Sequence, residues 1–171
     1  MKISLRRGVF ETNSSSMHSL VVKEGSGWLP KGFLAGETVV LKGYDFGTDR
    51  CDYFDWYEKA CYLFSYVGNY HDVGLNFSGG RQRILWNEDF RRLKKVIEDY
   101  TGAEIDFEES EDSIYLYGIV DYQSIDLPKH IIAKHDRIEK FIFCDNVGLE
   151  TKRDSYAIAD DIYDIDEIGV G

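Results

Sequence analysis

The sequence is poor in residues that interrupt or cross-link a chain. Its 171 residues include only two prolines, Pro30 and Pro128, and no glycine-serine tract that would separate two domains. The three cysteines, Cys51, Cys61 and Cys144, are an odd number without close pairing. This pattern is typical of reduced thiols rather than of a disulfide framework. We therefore expect one domain in a reducing compartment.

Long apolar runs are also missing. Runs such as residues 141–144 are far shorter than the roughly 18 residues of a membrane span. The N-terminus carries basic residues but lacks the continuous apolar core of a signal peptide. With 43% hydrophobic residues the chain can still bury a core. These features predict a cytosolic protein that does not enter a membrane.

Basic residues are absent from two long stretches. Residues 102–128 contain eight acids and residues 154–171 contain six, and neither stretch has a lysine or arginine. The whole chain has a net charge of -11. Removing these 14 acids from the total of 31 leaves 17 acids against 20 bases, so the rest of the chain is slightly basic. Such a field repels nucleic acid and attracts cationic protein surfaces. An acidic face that serves only solubility has the same composition, so both interpretations stay open.

Hydrophobic periodicity predicts an α+β fold with a mixed or antiparallel sheet, two main helices and a short third helix. We expect a single domain over residues 1–153, with an acidic segment, 154–171, that either extends from it or belongs to it. The helices are expected at residues 52–67, with an end at Gly68 and Asn69, at 87–102 with Asn87 as the N-cap, and after Pro128 through His135. Strands are expected at residues 3–9, 20–23, 37–42, 105–107, 114–120 and 140–145, with 105–107 and 114–120 forming a pair.

A polar segment, Phe-Glu-Thr-Asn-Ser-Ser-Ser-Met-His-Ser at residues 10–19, follows the first predicted strand. Its side chains suit a tight connection between two strands, in which they hydrogen-bond the backbone, and we favour this interpretation. A catalytic alternative would use Ser15 as nucleophile, His18 as base and Glu11 as orienting acid, but the sequence lacks a Gly-x-Ser-x-Gly elbow. We consider an enzyme the less favoured class.

The same segment allows a phosphate-binding interpretation. Arg7, Asn13 and Ser14 offer donors to a phosphate, and Arg81 and Arg83 in a glycine-rich loop at residues 79–83 could add to them. The lysine-serine spacing of a Walker motif is absent. An enzyme or sensor for a phosphate-bearing ligand is therefore the alternative function.

Metal ligands are available but poorly spaced. A zinc site could use His18, Cys51, Cys61 and Cys144, yet neither a Cys-x-x-Cys pair nor two histidines at helical spacing occur. We expect no cofactor, with zinc as the minor alternative.

Tyrosines and other aromatic residues accompany acids at residues 52–58, and tyrosines accompany acids in the base-free stretch 102–128. Carboxylates and tyrosines together are suited to arginine-rich protein partners, through ion pairs, hydrogen bonds and cation-π contacts. The same residue types also occur in ordinary cores and strands. The candidate partner-binding residues are Glu104, Asp106, Glu108, Glu109, Glu111, Asp112, Tyr115, Tyr117, Asp160, Asp161 and Asp164.

Two segments carry a resemblance. Residues 7–20, Arg-Gly-Val-Phe-Glu-Thr-Asn-Ser-Ser-Ser-Met-His-Ser-Leu, and residues 141–156 resemble the opening and the closing strand and loop of small, largely uncharacterised phage and prophage proteins of Gram-positive bacteria. The resemblance implies a phage or mobile-element origin and a counter-defence role. It transfers no catalytic residues.

The charge distribution and the resemblance favour one functional hypothesis. The protein is expected to be a non-enzymatic, anti-CRISPR-like inhibitor that imitates DNA and occupies a basic nucleic-acid site on a bacterial defence protein, with a CRISPR effector nuclease as the favoured target. Its acidic, tyrosine-rich surface would bind that protein, and the inhibitor itself would bind no nucleic acid directly.

Overall fold

Helices and strands are mixed along the chain, and the helices supply most of the buried side chains. A computed structural model describes residues 3–4, 16–22, 27–46, 52–70, 80–110, 116–120, 126–153 and 165–167. This arrangement confirms the predicted α+β class. The elements are β1 (Ile3–Ser4), β2 (Ser16–Val22), β3 (Thr38–Lys42), β4 (Asp45–Phe46), β5 (Asp52–Tyr53), α1 (Trp56–Tyr70), α2 (Gly80–Trp86), α3 (Glu88–Thr101), β6 (Glu104–Glu108), β7 (Ile119–Val120), α4 (Asp126–Ile132), α5 (His135–Phe143), β8 (Val147–Arg153) and a 3₁₀ turn (Ile165–Glu167).

Helix α1 lies at the centre of the core. Every residue from 59 to 68 is buried, so the helix has no solvent-facing side over this length. It packs against β3, β7, α3, α4 and α5, which surround it. A helix that is buried on all sides requires such a central position. The predicted single apolar stripe was therefore too narrow a description.

Both ends of α1 differ from the prediction. The carboxylate of Asp55 accepts a hydrogen bond from the backbone N–H of Tyr57 at 2.8 Å, so the helix begins at Trp56 rather than at Asp52. Asp52 and Tyr53 instead form β5. The helix also continues through Gly68 to Tyr70. Gly68 leaves room for Tyr117, because a Cβ added at Gly68 would lie 2.4 Å from the Tyr117 Cβ. The glycine therefore serves close packing and does not end the helix, so the predicted end at Gly68 was wrong.

The central helix carries one buried cation. Lys59 is fully buried, and its Nζ donates hydrogen bonds to the carbonyl oxygens of Cys144 at 2.9 Å and Val147 at 2.8 Å. The ammonium also lies 5.9 Å from the centre of the Phe141 ring. A buried charge without hydrogen-bond partners costs free energy, so the two carbonyl groups must stay beside Lys59. These contacts therefore hold the end of α5 and the start of β8 against α1.

Helix α3 agrees with its prediction at both ends. The Asn87 side chain accepts a hydrogen bond from the Phe90 N–H at 3.0 Å, which satisfies one of the free donors of the first turn. Gly102 ends the helix with a φ of 75°, a left-handed conformation that glycine adopts without strain. The side chains at residues 90, 93, 96, 97, 100 and 101 are buried. Local signals and core packing therefore agree in this segment.

The largest sheet is antiparallel and has the order β1-β2-β8-β5. Strands β2 and β8 pair along their full length, from Ser16 opposite Arg153 to Val22 opposite Val147. Residues 16–19 therefore belong to a strand and not to a turn, and the strand begins four residues before its predicted start. Residues 16–20 and 147–153, which belong to the segments 7–20 and 141–156 singled out in the sequence, are therefore neighbours in this sheet.

Two short parallel sheets replace the predicted strand pair. Strand β6 pairs with β3, and β7 pairs with β4, so residues 105–107 do not pair with the described part, 116–120, of the predicted second strand. The Ser110 N–H donates to the Leu116 carbonyl at 2.6 Å, and a turn follows at Leu116 and Tyr117. Only Ile119 and Val120 of the predicted second strand are in a strand, while residues 111–115 lie outside the described residues.

The predicted strand at residues 140–145 was also wrong. Residues His135–Phe143 form α5, and Cys144 makes only an isolated bridge with Trp28. Ile138, Phe141 and Ile142 are buried at the three- and four-residue spacing of a helix, which a short apolar run conceals. The expected short helix through His135 is in fact two helices, because α4 ends at Ile132 before α5 begins.

A close backbone contact brings β4 and β7 together. A Cβ added at Gly43 would lie 2.0 Å from the Tyr117 carbonyl carbon, and one at Gly118 would lie 2.4 Å from the Tyr44 nitrogen. Gly118 also has a φ of 73°. Both the backbone conformation and the space therefore require glycine at position 118.

Gly118→Ala should destabilise the protein more than a left-handed conformation alone explains. Gly32 provides a matched control because it has a φ of 75° but no heavy atom within 4 Å of an added Cβ. Urea denaturation should show a loss of about 1 kcal/mol for Gly32→Ala. The loss for Gly118→Ala should be clearly larger, since backbone atoms cannot move aside. Equal losses would contradict the close contact.

The buried position of Lys59 predicts an unusual pH dependence of stability. Burial lowers the pKa of Lys59 from 10.5 to about 8, because the low-polarity core disfavours the ammonium. Between these pH values the unfolded chain binds more protons than the folded chain, so stability rises with pH. Relative to Lys59→Met, the wild-type free energy of unfolding should increase by about 3 kcal/mol between pH 7.5 and pH 10.5.

This comparison removes the titration of groups that both proteins share, including Cys61. Lys95→Met is the control, because the hydrogen bond to Asp99 raises the pKa of the exposed Lys95. Relative to Lys95→Met, the wild-type free energy of unfolding should show no such increase between pH 7.5 and pH 10.5. Parallel pH profiles of the wild type and Lys59→Met would show that Lys59 is not a buried cation.

Candidate functional site

Three carboxylates lie on one face of β6. Ile105 and Phe107 point into the core, and the alternating Glu104, Asp106 and Glu108 point outward. Glu109 follows directly and is exposed. We call these four residues the β6 acidic row. They are the members of the predicted partner-binding set that the structure brings together on the surface.

Two members of the β6 acidic row pair with cations of the same chain. Lys42 on the neighbouring strand β3 pairs with Glu108, and Arg81 on α2 pairs with Asp106 at 2.5 Å. All four side chains are roughly half exposed. Within the described part of the chain, Glu104 and Glu109 enter no ion pair. The row therefore has both neutralised and uncompensated charges.

Side chains cover the outer edge of β6. The Ile105 N–H donates to Glu98 at 3.1 Å, and the Ile105 carbonyl accepts from Lys94. The Phe107 carbonyl accepts from Arg81 at 2.6 Å, while its N–H donates to the Asp106 carboxylate at 2.8 Å.

An uncovered edge strand would be a template for pairing with another chain. The outward backbone groups of Ile105 and Phe107 are already bonded, so a partner can meet the β6 acidic row only through its side chains.

Asp106 stays ionised well below neutral pH. The hydrogen bond from the Phe107 N–H lowers the pKa of its carboxyl, and the hydrogen bond and positive charge of Arg81 lower it further. The Arg81 guanidinium also lies 4.3 Å from the centre of the Phe107 ring. Arg81 is therefore fixed by three contacts at the side of the row.

Tyr117 does not belong to this surface. It is 1% exposed and packs edge-on against Phe64 and Phe107 at 5.8 Å and 5.9 Å between ring centres. Burial raises the pKa of Tyr117 above that of a free tyrosine. Its predicted role in partner binding is corrected to a core role. The other candidates Glu111, Asp112, Tyr115, Asp160, Asp161 and Asp164 lie outside the described residues.

The alternative phosphate-binding group is not assembled by the described residues. Arg81 and Arg83 lie on helix α2, not in the predicted loop, and Arg81 is already bound to Asp106 and Phe107. His18 lies in β2. Arg7, Glu11, Asn13, Ser14 and Ser15 lie outside the described residues, so the catalytic and phosphate hypotheses remain sequence predictions.

The cysteines occupy apolar surroundings. Cys61 and Cys144 are fully buried, and burial raises the pKa of the Cys61 thiol to about 11 and also raises that of Cys144. A thiolate is the form that binds zinc, and burial disfavours it here. Among the described residues, no three His, Cys, Asp or Glu side chains converge on a point that could hold a metal ion. Cys51 lies outside them.

Part of the acidic C-terminal segment is bound to the chain itself. Ile165 is fully buried, and the Asp166 carboxylate accepts two hydrogen bonds from Arg137, at 3.0 Å and 2.6 Å. Lys134 adds a contact to Asp166 at 3.2 Å. These contacts attach the 3₁₀ turn to α5. The charge of Asp166 therefore serves intramolecular packing.

Sequence reasoning missed Lys59, Arg137 and Trp28. Lys59 directly precedes an uninterrupted run of core residues in a predicted helix, and this position was a usable signal. Arg137 lies between the short helix predicted to end at His135 and the strand predicted at residues 140–145, so its burial became visible only with α5. No sequence pattern distinguished Trp28 from an ordinary packed tryptophan.

Comparisons with protein-family models, with curated proteins and with solved structures give no match to this chain. Within the described ranges, no helix has the length and hydrophobicity needed to span a bilayer.

Asp166→Asn should loosen the C-terminal turn. The hydrogen bonds and charges of Arg137 and Lys134 lower the pKa of Asp166, so its stabilising effect is present above the normal carboxyl pKa of 3.8 and fades as the pH falls. Thermal unfolding at pH 7 should therefore show a lower melting temperature for Asp166→Asn. The difference from wild type should shrink toward pH 3.

Asp99→Asn is the matched control, since Asp99 pairs with an exposed lysine of the same helix at 2.8 Å. Such exposed pairs contribute little to stability. If both variants lower the melting temperature equally, the Arg137–Asp166 contact does not hold the turn.

Proposed function

We propose that this protein is a non-enzymatic inhibitor that binds a basic nucleic-acid site on a bacterial defence protein, with a CRISPR effector nuclease as the target. The observation that carries the proposal is the β6 acidic row. An acidic protein that covers such a site would exclude the nucleic acid without any chemical step. The proposal includes action in the cytoplasm of the bacterial host.

The geometry of the row supports imitation of a nucleic-acid strand. Side chains on one face of a strand are about 6.6 Å apart, because the backbone rises about 3.3 Å per residue. This spacing is close to that of neighbouring phosphates along one strand of a nucleic acid. Glu104, Asp106 and Glu108 therefore present carboxylates in a line that arginines and lysines of a phosphate-binding site could contact.

The internal ion pairs do not prevent such binding. Exposed pairs such as Arg81 with Asp106 contribute about 0–1 kcal/mol to stability, so exchange for a partner's arginine costs little. Glu104 and Glu109 are available without exchange. The net charge of -11 would speed association with a cationic surface, and this attraction weakens with salt.

The resemblance of residues 7–20 and 141–156 to phage proteins supports the choice of a defence protein as target. Proteins carried by phages commonly face host nucleases that hold their nucleic acid in positively charged channels. An inhibitor of this kind needs a rigid acidic surface rather than a reactive group. The covered edge of β6 provides that rigidity.

Inhibition of DNA cleavage by purified CRISPR effector complexes would test the proposal. The double variant Glu104→Gln/Glu109→Gln removes two charges that make no ion pair with the described residues, so it should weaken inhibition several-fold without changing the melting temperature. Adding Glu108→Gln should weaken it further. Binding to the effector should decrease as salt is raised from 50 to 300 mM, roughly the range over which surface charges become screened.

A control pair, Glu88→Gln/Asp126→Asn, makes the same charge change at the first turns of α3 and α4. It should inhibit as the wild type does. Failure of the wild type to bind any effector complex at low salt would refute the proposed target. Equal loss of inhibition in both double variants would show that net charge, and not the β6 acidic row, is responsible.

A further inference from the structure

A cleft of about 350 Å³ lies on the surface of α5, away from β6. Its volume is within the range of small-molecule sites. One wall is the indole of Trp28, and α5 supplies most of the rest. The lining residues are Trp28, His135, Asp136, Glu139, Lys140 and Asp166.

Trp28 is 43% exposed although its backbone is firmly held. On one side the Gly27 N–H donates to the Asp145 carboxylate at 2.8 Å, and on the other the Leu29 N–H donates to the Phe143 carbonyl at 2.9 Å. The indole stacks on Tyr100 with 6.4 Å between ring centres.

Tyr100 in turn stacks on Phe143 with 3.9 Å between ring centres and an angle of 4° between the rings. The indole of Trp28 is thus a preformed aromatic surface at the side of the cleft. A ligand that uses it would lose little energy to ordering the protein.

Two of the four acidic and basic side chains around the cleft already have partners. Asp166 is bound by Arg137 and Lys134, as described above. Glu139 pairs with Lys31 at 3.6 Å. The charges that remain are the carboxylate of Asp136 and the ammonium of Lys140, which enter no ion pair within the described part of the chain.

Asp136 and Lys140 are one helical turn apart, and an acid four residues before a base favours an ion pair. On α3, two pairs at the same spacing do close, Lys94 with Glu98 at 2.6 Å and Lys95 with Asp99 at 2.8 Å. These pairs even have the less favourable order of base before acid. The open pair on α5 therefore leaves one negative and one positive group available in the lining of the cleft.

We propose that this cleft binds a small zwitterion with an apolar or aromatic side chain, such as a free α-amino acid. Asp136 contacts the ammonium of the ligand, Lys140 contacts its carboxylate, and the side chain lies on Trp28. A ligand with only one charge leaves the other member of the pair uncompensated. This site is independent of the β6 acidic row and of the proposed inhibition.

The test uses the full chain and three probes, L-phenylalanine, 2-phenylethylamine and 3-phenylpropanoate. The two analogues each lack one charge of phenylalanine but keep its ring. Binding is followed by the indole N–H signal of Trp28 in ¹H–¹⁵N NMR spectra, assigned with Trp28→Phe. L-Phenylalanine should shift this signal saturably, with a dissociation constant of roughly 1 mM for so small a ligand. Each analogue should bind roughly tenfold more weakly, because it lacks one charged hydrogen bond.

Variants of the two charges distinguish their roles without altering the core. Asp136→Asn should reduce the affinity for L-phenylalanine roughly tenfold and leave that for 3-phenylpropanoate unchanged. Lys140→Gln should likewise reduce the affinity for L-phenylalanine roughly tenfold and leave that for 2-phenylethylamine unchanged. Trp86→Phe is the control for an exposed tryptophan, since Trp86 is 74% exposed on α2, and it should bind as the wild type does.

Three results would overturn the proposal. The first is the absence of a saturable shift up to the solubility limit of L-phenylalanine. The second is an analogue that binds as tightly as L-phenylalanine, which would indicate a site for a cation or an anion alone. The third is unchanged affinity in both Asp136→Asn and Lys140→Gln.

Discussion

A buried ammonium group joins the central helix to the turn between α5 and β8. Lys59 donates to the carbonyls of Cys144 and Val147, and this turn sets where β8 begins. Strand β8 in turn carries β2 on one side and β5 on the other. Because a buried charge must keep its hydrogen-bond partners, the position of the antiparallel sheet on the helical core depends on this one side chain.

The same turn also positions the cleft on α5. Asp145 exchanges hydrogen bonds with Gly27, and this contact holds the backbone beside Trp28. On the other side of the core, Arg81, Lys94 and Glu98 bind the edge of β6 and fix the direction of its carboxylates. In both candidate binding surfaces the backbone under the binding side chains is therefore held by hydrogen bonds from other parts of the chain, which is what recognition of a partner or ligand requires.

Local chemistry predicted some elements well. Asn87 and Gly102 mark the two ends of α3, and the acids in its first turn agree with them, so tertiary packing had nothing to override. Residues 140–145 show the opposite case. A short apolar run is compatible with a strand or with a buried helix, and only the contacts of Phe141 and Ile142 with the core decide for the helix. The strand pair was mispredicted because β6 pairs with β3, which lies far away in the sequence, and not with the segment that follows it.

The sequence by itself determined the α+β class, the caps of α3 and the segregation of acids into two base-free stretches. Only the tertiary structure decided which of those acids face solvent, which pair with Lys42 and Arg81, and which hold the chain together, as Asp166 does. It also buried Tyr117 and left Trp28 exposed. The physical reason is that charge and hydrophobicity are properties of single residues, whereas burial and pairing depend on segments far apart in the chain that the parallel β3–β6 contact and the Lys59 hydrogen bonds bring together.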